Sequence, residues 1–147
     1  MIAVIQRCSR GNVTVSENVV GEIDHGLVIL LGVQQDDSKP DADFLVHKIS
    51  GLRIFNDEND KMNLSIKDMG GSALVISQFT LCGDTRKGRR PSFINAADPK
   101  EGNRLYEYFM QELRNLGVPV QSGKFGAMMD VELVNDGPVT FVLNSKD

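Results

Sequence analysis

Apolar positions fall along this chain in two rhythms: short alternating or unbroken runs, and two longer stretches with spacings of three and four. Ile2–Cys8 and Asn12–Ile23 read as β segments. Asn12-Val13-Thr14-Val15 alternates strictly, and Gly11-Asn12 and Glu17-Asn18 are turn steps. Gly26-Leu27-Val28-Ile29-Leu30-Leu31-Gly32-Val33 is continuously apolar, as a strand covered on both faces must be. Ala73-Leu74-Val75-Ile76 has the same character and runs on through Ser77-Gln78-Phe79-Thr80-Leu81, so the spacing predicts one strand over 73–81 that ends in neutral hydrogen-bonding groups. Leu52–Phe55, Val118–Ser122, Met128–Val134 and Val139–Leu143 are further strand candidates.

The helical rhythm appears twice. Ser38 can cap a helix with Pro40 in its first turn and Asp41 in the capping-box position, and Ala42, Leu45, Val46 and Ile49 then share one face up to Gly51. Asp98-Pro99-Lys100-Glu101 starts the second helix, with Leu105, Tyr108, Phe109, Leu113 and Leu116 as its stripe and Gly117 and Pro119 as its stop. Strands outnumber helices and arrive in hairpin-like runs. The expectation is an α/β fold in a single domain over 1–147, with a curved, mostly antiparallel sheet and two main helices. No repeat, low-complexity tract or linker divides it.

Composition changes this picture little, since 41% hydrophobic and 24% charged residues suit an ordinary globular domain. No apolar run approaches the roughly 18 residues of a membrane span. The first residues enter strand-like sequence without a leader pattern, and two cysteines make no disulfide framework, so the reading is a reduced cytoplasmic protein. Charge matters more. The net charge is −4, yet four of the 16 basic residues, Arg86, Lys87, Arg89 and Arg90, fall within five positions. Such a cluster can steer a phosphate backbone to one place, and a merely solvated loop is the plain alternative.

Familiar catalytic sets are missing. His25 lies in a turn and His47 on the polar side of the first helix; there is no nucleophile elbow, phosphate-binding glycine loop or Cys/His metal spacing. Asn56-Asp57-Glu58-Asn59-Asp60 resembles a calcium loop but lacks its central glycine and closing glutamate, so neither a metal nor a cofactor is expected. Cys82 could serve as a nucleophile if the basic loop lowered its pKa. What stands out is Ser77-Gln78-Phe79-Thr80 at the edge of the basic loop, together with the turn Asn135-Asp136-Gly137-Pro138-Val139-Thr140. Spacing alone leads to a polar pocket for a phosphate-bearing ligand, built from both stretches.

Those two motifs in order, with Ile5-Gln6-Arg7, the passage from Arg86 to Phe93, and Phe125-Gly126-Ala127-Met128-Met129, resemble the D-aminoacyl-tRNA deacylases, also called D-tyrosyl-tRNA deacylases. The resemblance covers the whole chain. It implies a barrel-like deacylase fold and hydrolysis of the ester joining a D-amino acid to the terminal adenosine of tRNA, with glycyl-tRNA as a second substrate. It also implies a homodimer in which Gly137 and Pro138 of one subunit check chirality in the other's active site. There they reject L-amino acids, from a cis Gly-Pro bond where the statistics of X-Pro bonds favour trans. Carried over residue by residue, Ser77, Gln78, Phe79 and Thr80 are catalytic, Arg7 holds the Gly-Pro loop, and Phe125, Met129, Asn135 and Thr140 bind substrate. Arg86, Lys87, Arg89 and Arg90 would touch tRNA phosphates, an assignment from charge. Two mechanisms fit: a Thr80 nucleophile, or backbone amides that hold the oxyanion while the tRNA 2′-OH assists water. The lack of an adjacent base favours the second. A general ester hydrolase and a non-catalytic tRNA-binding module are the rival readings.

Overall fold

The computed structural model describes residues 1–147. Eight strands and two helices follow in the order β1 (Ile2–Val15), β2 (Asn18–Ile23), β3 (Gly26–Gly32), α1 (Lys39–Gly51), β4 (Phe55–Asn56), β5 (Met62–Leu64), β6 (Ser72–Ser77), α2 (Pro99–Asn115), β7 (Val120–Ser122) and β8 (Asp130–Asn144). A 3-10 turn, Phe79–Cys82, follows β6.

β1 organises the sheet. Its first half pairs antiparallel with β3, its second half with β2, and its other side with β8 over nearly its whole length. β6 then adds parallel to β3, and β7 parallel to β6. The sheet is thus mostly antiparallel, as expected, with the three ladders on β1 all antiparallel; β6 and β7 are its parallel additions, and α1 and α2 supply the crossovers that parallel neighbours require. It curls until β2 approaches β7: a Cβ on Gly21 would meet the carbonyl oxygen of Ser122 at 2.5 Å. The result is a nearly closed barrel.

The curl creates two cores, which explains the unbroken apolar runs. Leu27, Ile29, Leu31, Ala73 and Val75 face α1 and α2, where Leu45, Ile49, Leu105 and Phe109 cover them. The alternate residues Val28, Leu74 and Ile76 turn the other way and pack with Cys8, Val13 and Ile23. α1 begins as expected, the Asp41 carboxylate accepting from the Ser38 amide at 2.9 Å. At α2, the Asp98 side chain accepts from the Glu101 amide at 3.1 Å. The buried stripe of α2 is rotated from its expected position, however. Tyr106 rather than Tyr108 enters the core, where its hydroxyl donates to the Val75 carbonyl at 2.9 Å.

Several boundaries move. Gly11 is not in a turn but inside β1, where a Cβ would lie 2.9 Å from Val28 Cγ2. The hairpin turns at Ser16 and Glu17, both with positive φ, 49° and 69°. The strand expected over Leu52–Phe55 is β4, two residues long and paired with β5. Met128–Val134 and Val139–Leu143 are one strand, β8, which passes the 135–138 turn by two register shifts against β1. No helix is long and apolar enough to cross a membrane.

Candidate functional site

β6 stops at Ser77, not at Leu81. Gln78 leaves the strand with φ −140° and ψ 76°, donates its amide to the Leu31 carbonyl at 2.8 Å, and the chain coils into the 3-10 turn. Gly32 permits this, since a Cβ there would meet Leu81 Cβ at 2.9 Å and the Gln78 oxygen at 3.1 Å. The turn lifts Phe79 and Thr80 to the surface, Phe79 being 56% exposed. As the first residues of a 3-10 turn, their amides have no partner within the turn itself.

In front of this turn lies a cavity of about 620 Å³. Ser77, Gln78, Phe79 and Thr80 form one wall, Phe125 to Met129 the other, with Ile76 and Val131 below and Ala96, Ala97 and Pro99 at the start of α2. Phe125 is seated by a tilted contact with Tyr106, ring centroids 5.8 Å apart, and by Gly102, from which a Cβ would stand 3.5 Å from its Cζ. The lining is mostly apolar and contains no ionisable side chain. Its polar content is amide and hydroxyl, with Gln78 Nε2 donating to Thr80 Oγ1. Such a cavity can hold a flat apolar ring and stabilise a developing negative charge, but it offers no side-chain base.

The basic loop is fastened to this wall. Asp84 and Ser92 exchange two backbone hydrogen bonds, 2.7 and 2.9 Å, and Phe93 meets Phe79 edge-on with centroids 5.0 Å apart. Arg86 folds back onto Asp84, Nε to Oδ1 at 2.9 Å and Nη2 to Oδ2 at 2.8 Å. That side-chain bond and the Arg86 amide hold the Asp84 carboxyl down at about 2. The cations left unpaired are therefore Lys87, Arg89 and Arg90, all exposed, and Arg86 is already spent.

Asn135 to Thr140 form a separate cluster. The Asn135 side chain clamps both ends of the turn, Nδ2 donating to Thr140 Oγ1 at 3.0 Å and Oδ1 accepting from the Val139 amide at 3.1 Å. Gln6 Nε2 also donates to Thr140 Oγ1, at 3.2 Å. Gly137 has φ +125° and no room for a Cβ, which would lie 2.6 Å from Val139 Cγ2; the Gly137–Pro138 peptide is cis. Both residues are exposed, and Arg7, only 6% exposed, holds the turn from beneath. None of Asn135, Gly137, Pro138, Thr140 or Arg7 lines the cavity of its own chain. Within one chain the two motifs stay apart.

Cys82 is not activated by the basic loop: burial raises its pKa, the Asp37 charge raises it further, and the N-terminal ammonium only partly opposes them. Burial likewise pushes the Cys8 thiol up to about 11, against a lowering bond from the Gly26 backbone and with the help of Asp136. His25 and His47 lie outside the cavity. Gln6 and Phe93 stand within the sequence motifs, but sequence reasoning gives neither them nor Asn56 a role, because each acts through a contact distant along the chain.

Comparison with known proteins matches residues 4–144 to the family described as D-Tyr-tRNA(Tyr) deacylase. Proteins named D-aminoacyl-tRNA deacylase from Koribacter versatilis and Clostridioides difficile are 57% and 58% identical, over 99% of this chain and 98% and 97% of theirs. Among solved structures, one titled c-Myc DNA Unwinding Element Binding Protein superposes with a TM-score of 0.93 at 38% identity, covering 98% of both chains. A probable eukaryotic D-amino acid tRNA deacylase shares the fold, with a TM-score of 0.84 at 20% identity over 97% of this chain and 98% of that one.

Proposed function

The chain belongs to the D-Tyr-tRNA(Tyr) deacylase family, and from that premise we propose that it removes D-amino acids from tRNA and so keeps them out of translation. It is a hydrolase of carboxylic esters: water cleaves the bond between the aminoacyl carbonyl and the terminal ribose, releasing free amino acid and tRNA. The observation that carries the mechanism is a cavity that pairs the Phe79–Thr80 turn with an apolar wall at Phe125 and Met129 and holds no ionisable group. The terminal adenine packs against Phe125 and Met129, as aromatic and thioether surfaces suit a base. The amides of Phe79 and Thr80 receive the oxyanion. With the Thr80 hydroxyl accepting from Gln78 and no base beside it, the ribose 2′-OH assists the attacking water. Lys87, Arg89 and Arg90 steer the phosphate backbone.

Selection against L-amino acids falls to Gly137 and Pro138 of a second copy. Two observations support a homodimer. The chirality-checking turn does not line its own chain's cavity, and β8 presents an unpaired outer edge with Val134, Phe141 and Val142 exposed. A wall that excludes one enantiomer selects by rejection, and admits D-side chains of many kinds as well as glycine.

The test is release of amino acid from matched D-Tyr-tRNA and L-Tyr-tRNA, with a Thr80→Ala variant alongside. The expected result is rapid loss of the D-ester, an intact L-ester, and variant activity within about tenfold of the parent. A loss of roughly four orders of magnitude in the variant would instead assign Thr80 as the nucleophile. Equal cleavage of both esters would leave a general esterase.

A further inference from the structure

Arg7 does more than touch the 135–140 turn. Its guanidinium is a planar fork with fixed donor directions, and two parts of the chain share it. On one side, Nε donates to the Asp136 carbonyl at 3.2 Å and lies 3.3 Å from Asp136 Oδ2. On the other, Nη1 donates to the Ile54 carbonyl at 2.8 Å and to Asn56 Oδ1 at 3.2 Å. Two acceptors on Nη1 fix the plane of the fork, and the plane fixes where Nε–H points. Nη2 lies 3.1 Å from where a Cβ on Gly137 would stand, so a tilt of the fork is felt directly at Gly137.

Asn56 is itself held on a stiff support. Phe55 beside it is buried, and Asp57 closes the β4–β5 hairpin by accepting from the amides of Asn59 and Lys61 at 2.8 and 3.1 Å and from Asn63 Nδ2 at 3.2 Å. The acidic turn that resembles a calcium loop thus has its Asp57 carboxylate engaged by its own backbone. Its output is a fixed Asn56.

We infer that Asn56 is a positioning residue for stereochemical selection: it aims Arg7, and Arg7 holds the Gly137–Pro138 turn. The inference rests on reading that turn as the chirality check. It predicts a change confined to selectivity, because Asn56 does not line the Ser77–Thr80 cavity and acts only through Arg7 and the turn. A misplacement of about 1 Å in a positioning group can change rates up to a hundredfold.

Rates on D-Tyr-tRNA and L-Tyr-tRNA are measured for the parent, Asn56→Ala and Asn56→Asp, with thermal melting alongside. The Asn56 residue is exposed, so neither substitution opens the core. In Asn56→Ala the D-ester rate stays within about threefold while the D-over-L ratio falls roughly tenfold or more. In Asn56→Asp, which keeps an oxygen acceptor for Nη1, the ratio returns to within about threefold of the parent. An unchanged ratio in Asn56→Ala overturns the proposal. So does a fall that Asn56→Asp fails to repair, or a parallel loss of both rates with a lowered melting point. If the parent protein does not discriminate D from L, the chirality check itself has failed. A discriminating parent with an unaffected Asn56→Ala refutes the role of Asn56 alone.

Discussion

Three residues hold the two oxygens of Asp41. Oδ1 accepts from the Ser145 hydroxyl at 2.8 Å and from Lys146 Nζ at 2.9 Å, while Oδ2 accepts from the Ser38 amide. Burial alone would raise its pKa, but the bonds from Lys146, Ser38 and Ser145 overcome burial and bring it to about 2 from 3.8. A depressed carboxyl stabilises the fold above its unfolded pKa and loses that contribution as pH falls through the folded one. Asp41→Asn should therefore cost about 1–2 kcal/mol at pH 7, a melting point lower by roughly 4 °C. The deficit should shrink between about pH 4 and pH 2, as thermal unfolding across that range would show. The Ser38–Asp41 half of this arrangement is legible in four consecutive residues. Lys146 and Ser145 are not, because only the folded chain brings the last residues to the start of α1. Tyr106 teaches the same point: periodicity finds the helix, but the neighbour that its face meets decides which of two tyrosines is buried.

At the scale of elements, the basic loop shows what charge counting overlooks. Four cations stand out in the sequence, yet Asp84 pairs with Arg86 and leaves three for the tRNA contact proposed above. Each contacting cation lost should reduce the slope of log affinity against log salt by about 0.7–0.9. Lys87→Gln, Arg89→Gln and Arg90→Gln should each do so in tRNA-binding titrations, while removing the pair together, Asp84→Asn with Arg86→Gln, should leave the slope unchanged. An equal effect of the pair would make Arg86 a phosphate contact after all. Strand positions were easier to read than strand ends. The apolar runs locate β3 and β6 because both faces of each are buried, whereas β6 stops at Ser77 for a reason that lies in β3. Gly32 opens the space into which the 3-10 turn coils, and no local pattern at 77–81 records it.

For the whole molecule, the mostly antiparallel, curled sheet is as expected, while the parallel addition of β6 and β7 is not legible, since it depends on which crossovers the helices make rather than on any strand's own sequence. The two-copy site proposed above would rest on the face that β8 exposes. Val142, 71% exposed, can be replaced without disturbing the core. Val142→Lys should yield a folded monomer by sedimentation, with its D-over-L selectivity lost; a variant that remains dimeric would place the contact elsewhere. β8 also acts as a gauge. Val131 belongs to the cavity wall and Gly137 to the turn six positions later on the same strand, a separation of at most about 20 Å set by the backbone repeat. Exchange of side chains cannot alter that length. One inserted residue would reverse the facing of everything beyond it, and two would keep the facing but advance the turn by about 7 Å. Outside the 135–140 turn, relatives of this protein can therefore vary β8 in composition, but hardly at all in length.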